Sequence, residues 1–134
     1  MKKEVAKKWV KALRSGKYKQ GYGYLKQLNS KNQPRHCCLG VLCELYNDTM
    51  KKNHKKTLKV VQGIDITTFN NKSDILPTVV AKWAGIKNNS GTFSYEAEDK
   101  YGKIKLAECL AQLNDVGTKF STIADIIEKN VENL

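Results

Sequence analysis

No stretch of this chain approaches the roughly 18 consecutive apolar residues of a membrane-crossing helix. A membrane partner is therefore not expected. The opening residues mix lysines with Glu4 and lack the apolar centre of a secretory signal, so the chain is expected to stay in the cytoplasm. Histidine is scarce: His36 and His54 are the only two, and neither belongs to a nucleophile–base–orienter pattern. Arg35 adjoins His36 and would lower its pKa if the two are close in space. Phosphate loops and dinucleotide-binding glycine motifs are missing. Glu96, Glu98 and Asp99 form the one tight group of carboxylates, and a solvated hairpin tip accounts for them. These absences favour a binding protein over an enzyme, without a cofactor.

The four cysteines, Cys37, Cys38, Cys43 and Cys109, lack the second matched pair of a zinc site. Three of them lie in the most apolar stretch of the chain, where core packing explains them best. In a reducing compartment all four are expected to be thiols, with no metal.

Acidic residues are nearly absent from the first quarter of the chain. Eleven of the first 35 residues are Lys or Arg, against Glu4 alone, and the net charge of the whole chain is +11. A field this lopsided suits an anionic partner, with phosphate groups the usual case. The alternative is a basic face that only keeps the protein soluble.

At 134 residues the chain fits one domain spanning 1–134. Residues 3–14 repeat apolar positions at helical spacing (Val5, Ala6, Trp9, Val10, Leu13), with lysines opposite, and Gly16 supplies the stop. Residues 17–34 hold Gly21 and Gly23 and read as a short strand or ordered loop. Cys37 to Tyr46 has no polar face and predicts a buried central helix, with Gly40 admitting a close neighbour. Residues 47–57 read as a Lys-rich loop. Residues 58–69 are β-branched and predict strands about Gln62-Gly63. Pro77 opens a short helix with Val79, Val80 and Trp83 inward, ended by Gly85. Residues 92–96 and 101–105 predict a hairpin with Phe93 and Tyr95 on one face. Leu106 to Asn114 has helical spacing, and Ser121 is placed to cap a last helix carrying Ile123, Ala124, Ile127 and Val131. The fold class is α+β: a small, mostly antiparallel sheet packed with about five helices.

The last two helices imitate a helix-turn-helix. Their outward residues include Asp125, Glu128 and Glu132, however, which DNA phosphates would repel.

Three segments together carry a resemblance. They are Leu13-Arg14-Ser15-Gly16-Lys17-Tyr18-Lys19-Gln20-Gly21, His36-Cys37-Cys38-Leu39-Gly40-Val41-Leu42-Cys43, and the run from Leu113-Asn114-Asp115-Val116-Gly117 through Phe120-Ser121 to Glu128. With Leu76-Pro77 and Trp83-Ala84-Gly85, this pattern resembles a group of small, uncharacterised proteins of bacteriophage and prophage genomes. The resemblance spans nearly the whole chain. It implies a phage accessory protein acting in the host cytoplasm, and it brings no assigned activity.

The chemistry must then come from the residues. Arg14, Ser15, Lys17, Tyr18, Lys19, Gln20 and Tyr22 surround glycines that let backbone N–H groups approach an anion. Arg35 and His36 stand where the central helix is expected to begin, an end that favours negative charge. If the two segments meet, they make a cationic pocket with tyrosines in reach. Asn114 and Asp115 offer polar recognition, or serve only the turn they occupy. The expected partner is a small anionic, nucleotide-like ligand. In a phage setting that suggests a sponge for a nucleotide-derived host immune signal, an anti-defence role. The competing expectation is a basic inhibitor that binds nucleic acid or a host defence protein. A homo-oligomer is compatible with either.

Overall fold

The computed structural model describes every residue from Met1 to Leu134. Helix α1, Lys3–Arg14, buries Val5, Ala6, Trp9, Val10 and Leu13, the stripe expected from their spacing. The Trp9 indole N–H donates to the Cys38 carbonyl at 2.9 Å and pins α1 to the start of the next helix. That helix, α2, runs Cys38–Lys52 and is buried without interruption from Cys38 to Cys43.

Four short strands, β1 (Lys26–Leu28), β2 (Pro34–His36), β3 (Val60–Gln62) and β4 (Ile66–Phe69), form an antiparallel sheet in the order β2-β1-β4-β3. Helix α3 (Thr78–Ala84) follows, then the antiparallel hairpin of β5 (Thr92–Asp99) and β6 (Gly102–Cys109). Helices α4 (Leu110–Asp115) and α5 (Phe120–Lys129) close the chain. The protein is thus a single α+β domain of five helices, a four-stranded antiparallel sheet and a hairpin. None of its helices is long and apolar enough to cross a membrane.

Several local expectations are corrected by packing. Residues 47–57 do not all form a loop, because α2 continues to Lys52. Tyr46 and Asn47 are buried on its inner side, and the Asn47 side chain accepts from the Leu58 N–H at 2.8 Å. Lys51 and Lys52 then sit at the negative end of the helix, where cations are favoured. Residues 106–109 are strand rather than helix. Pairing with β5 persists through Thr92↔Cys109, and these ladder bonds override the helical spacing of the leucines. Ser121 lies inside α5, which starts after Lys119. The Phe120 N–H is met instead by Gln20 Oε1 at 3.2 Å, a cap supplied from a distant segment. In α3 the inward residues are Val80, Ala81 and Ala84, while Val79 is exposed.

Other expectations hold. Gly85 ends α3 at φ +72°. Phe93 and Tyr95 share a face of the hairpin, their ring centroids 5.9 Å apart. Ile123, Ala124 and Ile127 are buried, with Val131 half-buried beyond the helix end.

Gly40 shows why α2 can sit so deep. A Cβ at this position would overlap the backbone carbonyl of Leu25, the residue that leads into β1. The absent side chain lets helix and sheet meet backbone to backbone. Gly40→Ala is predicted to destabilise the fold by about 3 kcal/mol or more, the upper range for overpacking, because backbone must move to relieve the clash. Thermal or urea denaturation measures this, and an unchanged midpoint would show that the contact is loose.

Candidate functional site

The segment after α1 is tied to β2 rather than left free. The Ser15 hydroxyl donates to the Ala12 carbonyl at 2.6 Å and accepts from the Lys17 N–H at 3.1 Å, which turns the chain at the helix end. The His36 N–H then donates to the Lys19 carbonyl at 2.9 Å, and the Gly21 N–H donates to the His36 carbonyl at 2.7 Å. A Cβ on Gly21 would lie 2.8 Å from Arg35 Cβ, so glycine is needed for this approach. The result is that Lys17, Tyr18 and Lys19 lie alongside Arg35 and His36. The sheet adds a further cation, since the β1–β2 register places Lys26 directly opposite His36, on the same face.

These residues enclose a hollow of about 430 Å³. Four cations line it: Lys17, Lys19, Lys26 and Arg35. Its remaining walls are Tyr18, His36, Gln33 and Pro34, with Glu44 of α2 as the one carboxylate. The Lys17 ammonium lies 5.3 Å from the centre of the Tyr18 ring. Tyr18 meets His36 edge-on, with ring centroids 5.2 Å apart. The Tyr18 hydroxyl is pushed up to about 12 by burial first, then by the charges of Asp48 and Glu44, so it stays protonated.

His36 is 4% exposed, and its Nε2 has no hydrogen-bond partner in the fold. Burial, assisted by the Lys26 charge, lowers its pKa to about 4. The sequence points to Arg35 as the neighbour that matters, but desolvation dominates and Lys26 is the charge that counts. The imidazole is therefore neutral at neutral pH. Glu44 moves the other way: burial raises its pKa, partly offset by Lys26 and Lys51.

The helix-start expectation is corrected as well. Arg35 and His36 belong to β2, and α2 begins at Cys38. Its first N–H is already taken, donating at 3.1 Å to Asn114 Oδ1.

Of the residues singled out in the sequence, Lys17, Tyr18, Lys19, Arg35 and His36 come together in the hollow. Arg14 is committed elsewhere: its guanidinium bonds Asp125 Oδ1 at 2.6 Å and Glu128 Oε2 at 2.9 Å, and these hydrogen bonds raise its pKa. Ser15 serves the turn. Tyr22 is 50% exposed and does not line the hollow. Gln20 and Asn114 are joined inside the fold, and Asp115 is exposed beside them. Asn114 Oδ1 accepts from Gln20 Nε2 at 3.0 Å, and Asn114 Nδ2 donates to the Gly21 carbonyl at 2.9 Å. Asp115 Oδ1 accepts from the Gly23 N–H at 2.8 Å.

Sequence reasoning missed Lys26 and Glu44. Glu44 is the only acidic residue between Glu4 and Asp48, a signal that was there to be read. A larger hollow of about 740 Å³ lies beside the hairpin, but its Lys87 and Lys105 share it with Glu96, and it gathers less positive charge.

The cysteines are all free: Cys37, Cys38 and Cys43 are buried, and Cys109 is half-buried. Burial pushes Cys37 up to about 11 and raises Cys38 and Cys43 well above their ordinary value. At Cys109 burial also raises the pKa, but hydrogen bonds from Thr92, Ser90 and the backbone at Gln112 and Ala111 outweigh it, and the net shift is downward. No group of three or more His, Cys, Asp and Glu side chains is placed to hold a metal ion.

Two measurements follow. The His36 ring, followed by NMR, is expected to titrate near 4. Because its folded pKa lies below the ordinary value of about 6.5, its contribution to stability is full above pH ~6.5 and is lost as pH falls toward 4. A midpoint near 6.5 would mean that the ring is solvated. With a thiol reagent, native protein should release one equivalent quickly, from Cys109, and the other three only on unfolding. Fast labelling of two or more would contradict the burial.

No curated protein and no solved structure matches the chain. A family model described as a domain of unknown function, DUF8296, matches residues 1–131 and carries no phage origin with it. Over nearly its whole length, then, the chain is one such domain and belongs to the DUF8296 family.

Proposed function

We propose that the protein binds a small anionic, nucleotide-derived ligand in the hollow between the segment after α1 and β2. The observation that carries this reading is that Lys17, Lys19, Lys26 and Arg35 all line one concavity and none of them forms a salt bridge. Like charges gathered this closely repel one another, and an anion relieves the repulsion. Guanidinium and ammonium groups together suit phosphate oxygens. A volume of about 430 Å³ falls within the range of small-ligand sites.

The mechanism is capture rather than conversion. A neutral His36 is a poor proton donor near pH 7, and Tyr18 keeps its proton. Joined to the resemblance to phage accessory proteins, this gives an anti-defence sponge in the host cytoplasm. The ligand would be a nucleotide-based immune signal, held and so kept from a host effector.

A second reading rests on α1. Lys3, Lys7, Lys8 and Lys11 are exposed and make no salt bridge, unlike Arg14 at the helix end. A row of free cations suits a polyanion, so an inhibitor that binds nucleic acid is the alternative.

Calorimetry against cyclic nucleotides and ADP-ribose derivatives separates the two. Arg35→Ala is the variant of choice, since alanine keeps the Cβ against which Gly21 packs. It should weaken ligand binding by roughly one to two decades, the loss of a charge-assisted hydrogen bond at ~1.5–3 kcal/mol. Lys26→Ala should act in the same direction. If no nucleotide binds, while short DNA or RNA binds with a steep dependence on salt, the α1 reading takes its place.

A further inference from the structure

The hollow holds two polar groups that a site for phosphate alone does not need. The Glu44 carboxylate makes no hydrogen bond within the protein, and no lysine or arginine nitrogen lies within 4.0 Å of it. His36 Nε2 is buried and equally unpartnered. The two face each other, Glu44 Oε2 standing 3.9 Å from His36 Nε2, beyond hydrogen-bonding distance. A carboxylate beside a bound phosphate repels it. Its presence among four cations therefore marks a different end of the ligand, one that donates protons. A buried nitrogen without a partner is costly to keep, and a ligand atom can supply that partner.

We propose that Glu44 and His36 form the base-reading end of the hollow, and that its preferred ligand is a guanine nucleotide. This rests on the anion-binding reading above and deepens it. Guanine presents two neighbouring N–H donors on one edge, which suits two neighbouring acceptors, the carboxylate and the Nε2 of an imidazole carrying its proton on Nδ1. Uracil offers a single N–H flanked by carbonyl oxygens, and a carboxylate repels those oxygens. Tyr18, edge-on to His36 at 5.2 Å, holds the imidazole ring in place. Lys19, Lys26 and Arg35 remain free for the phosphate.

The test is calorimetry with GMP, UMP and inorganic pyrophosphate on the wild-type chain and on Glu44→Gln. The Glu44 side chain makes no hydrogen bond in the fold, so circular dichroism should show the variant folded. Wild type is expected to bind GMP about tenfold or more tightly than UMP, the discrimination of one good paired contact. Glu44→Gln should weaken GMP by about tenfold while leaving pyrophosphate unchanged or tighter, because a repelling charge is gone. A merely structural role for Glu44 would weaken both. Equal binding of GMP and UMP, with pyrophosphate still bound, overturns the base-reading end and leaves the anion site standing. If neither pyrophosphate nor any nucleotide binds, the anion site itself falls, and this proposal with it.

Discussion

The buried side chain of Asn114 joins segments that the sequence keeps far apart. Its Oδ1 accepts from the first N–H of α2, at Cys38, and from Gln20 Nε2. Its Nδ2 donates to the Gly21 carbonyl. Gln20 passes the connection on, donating to the Thr118 carbonyl at 2.7 Å and accepting from the Phe120 N–H at the start of α5. One carboxamide therefore fixes the end of α4, the start of α2 and the segment after α1, and through Gln20 the start of α5. A fully buried amide must satisfy both of its ends or destabilise the core, so these partners are constrained together. Loss of any one leaves another unpaired in a medium without water.

The hollow is a consequence of that constraint. With Gly21 held by Asn114 on one side and by the His36 carbonyl on the other, the residues before it have little freedom. Lys17, Tyr18 and Lys19 are carried against β2, and the strand register brings Lys26 to the same face. The network itself faces inward and contributes no wall to the hollow. Gln20 and Asn114 are thus positioning residues: their chemistry is spent within the fold, and its effect is felt next door, while Asp115 holds the Gly23 N–H at the surface.

Charge is redistributed by the same packing. The basic first quarter of the chain splits into three parts. Arg14 is neutralised by Asp125 and Glu128, the acidic residues that also argue against DNA reading by α5. The α1 lysines face outward. Of the remaining cations, Lys17, Lys19, Lys26 and Arg35 line one hollow and Lys31 does not. Only this last group is gathered around one hollow, and Glu44 is the one carboxylate among its walls.

Much of this architecture was legible in the chain. The spacing of Val5, Ala6, Trp9, Val10 and Leu13 determined α1, because a helix has one period and one buried stripe. The apolar run around Gly40 announced a buried helix with a close neighbour, and Gly85 announced a helix stop. Leu106 to Cys109 did not declare itself, since a helical spacing of leucines can be overruled by eight cross-strand pairs. The start of α5 was hidden for a related reason: its cap is Gln20, a hundred residues away. The site divides in the same manner. Sequence determined that cations and tyrosines were concentrated near residues 14–36, because charge and aromaticity are read residue by residue. Only the tertiary structure decided which of them were free. Whether Arg14 meets α5 or a ligand, whether Asn114 is spent on Gly21 or on polar recognition, and whether Lys26 and Glu44 join His36 are questions of distance between remote segments, and those distances are set by how the core packs.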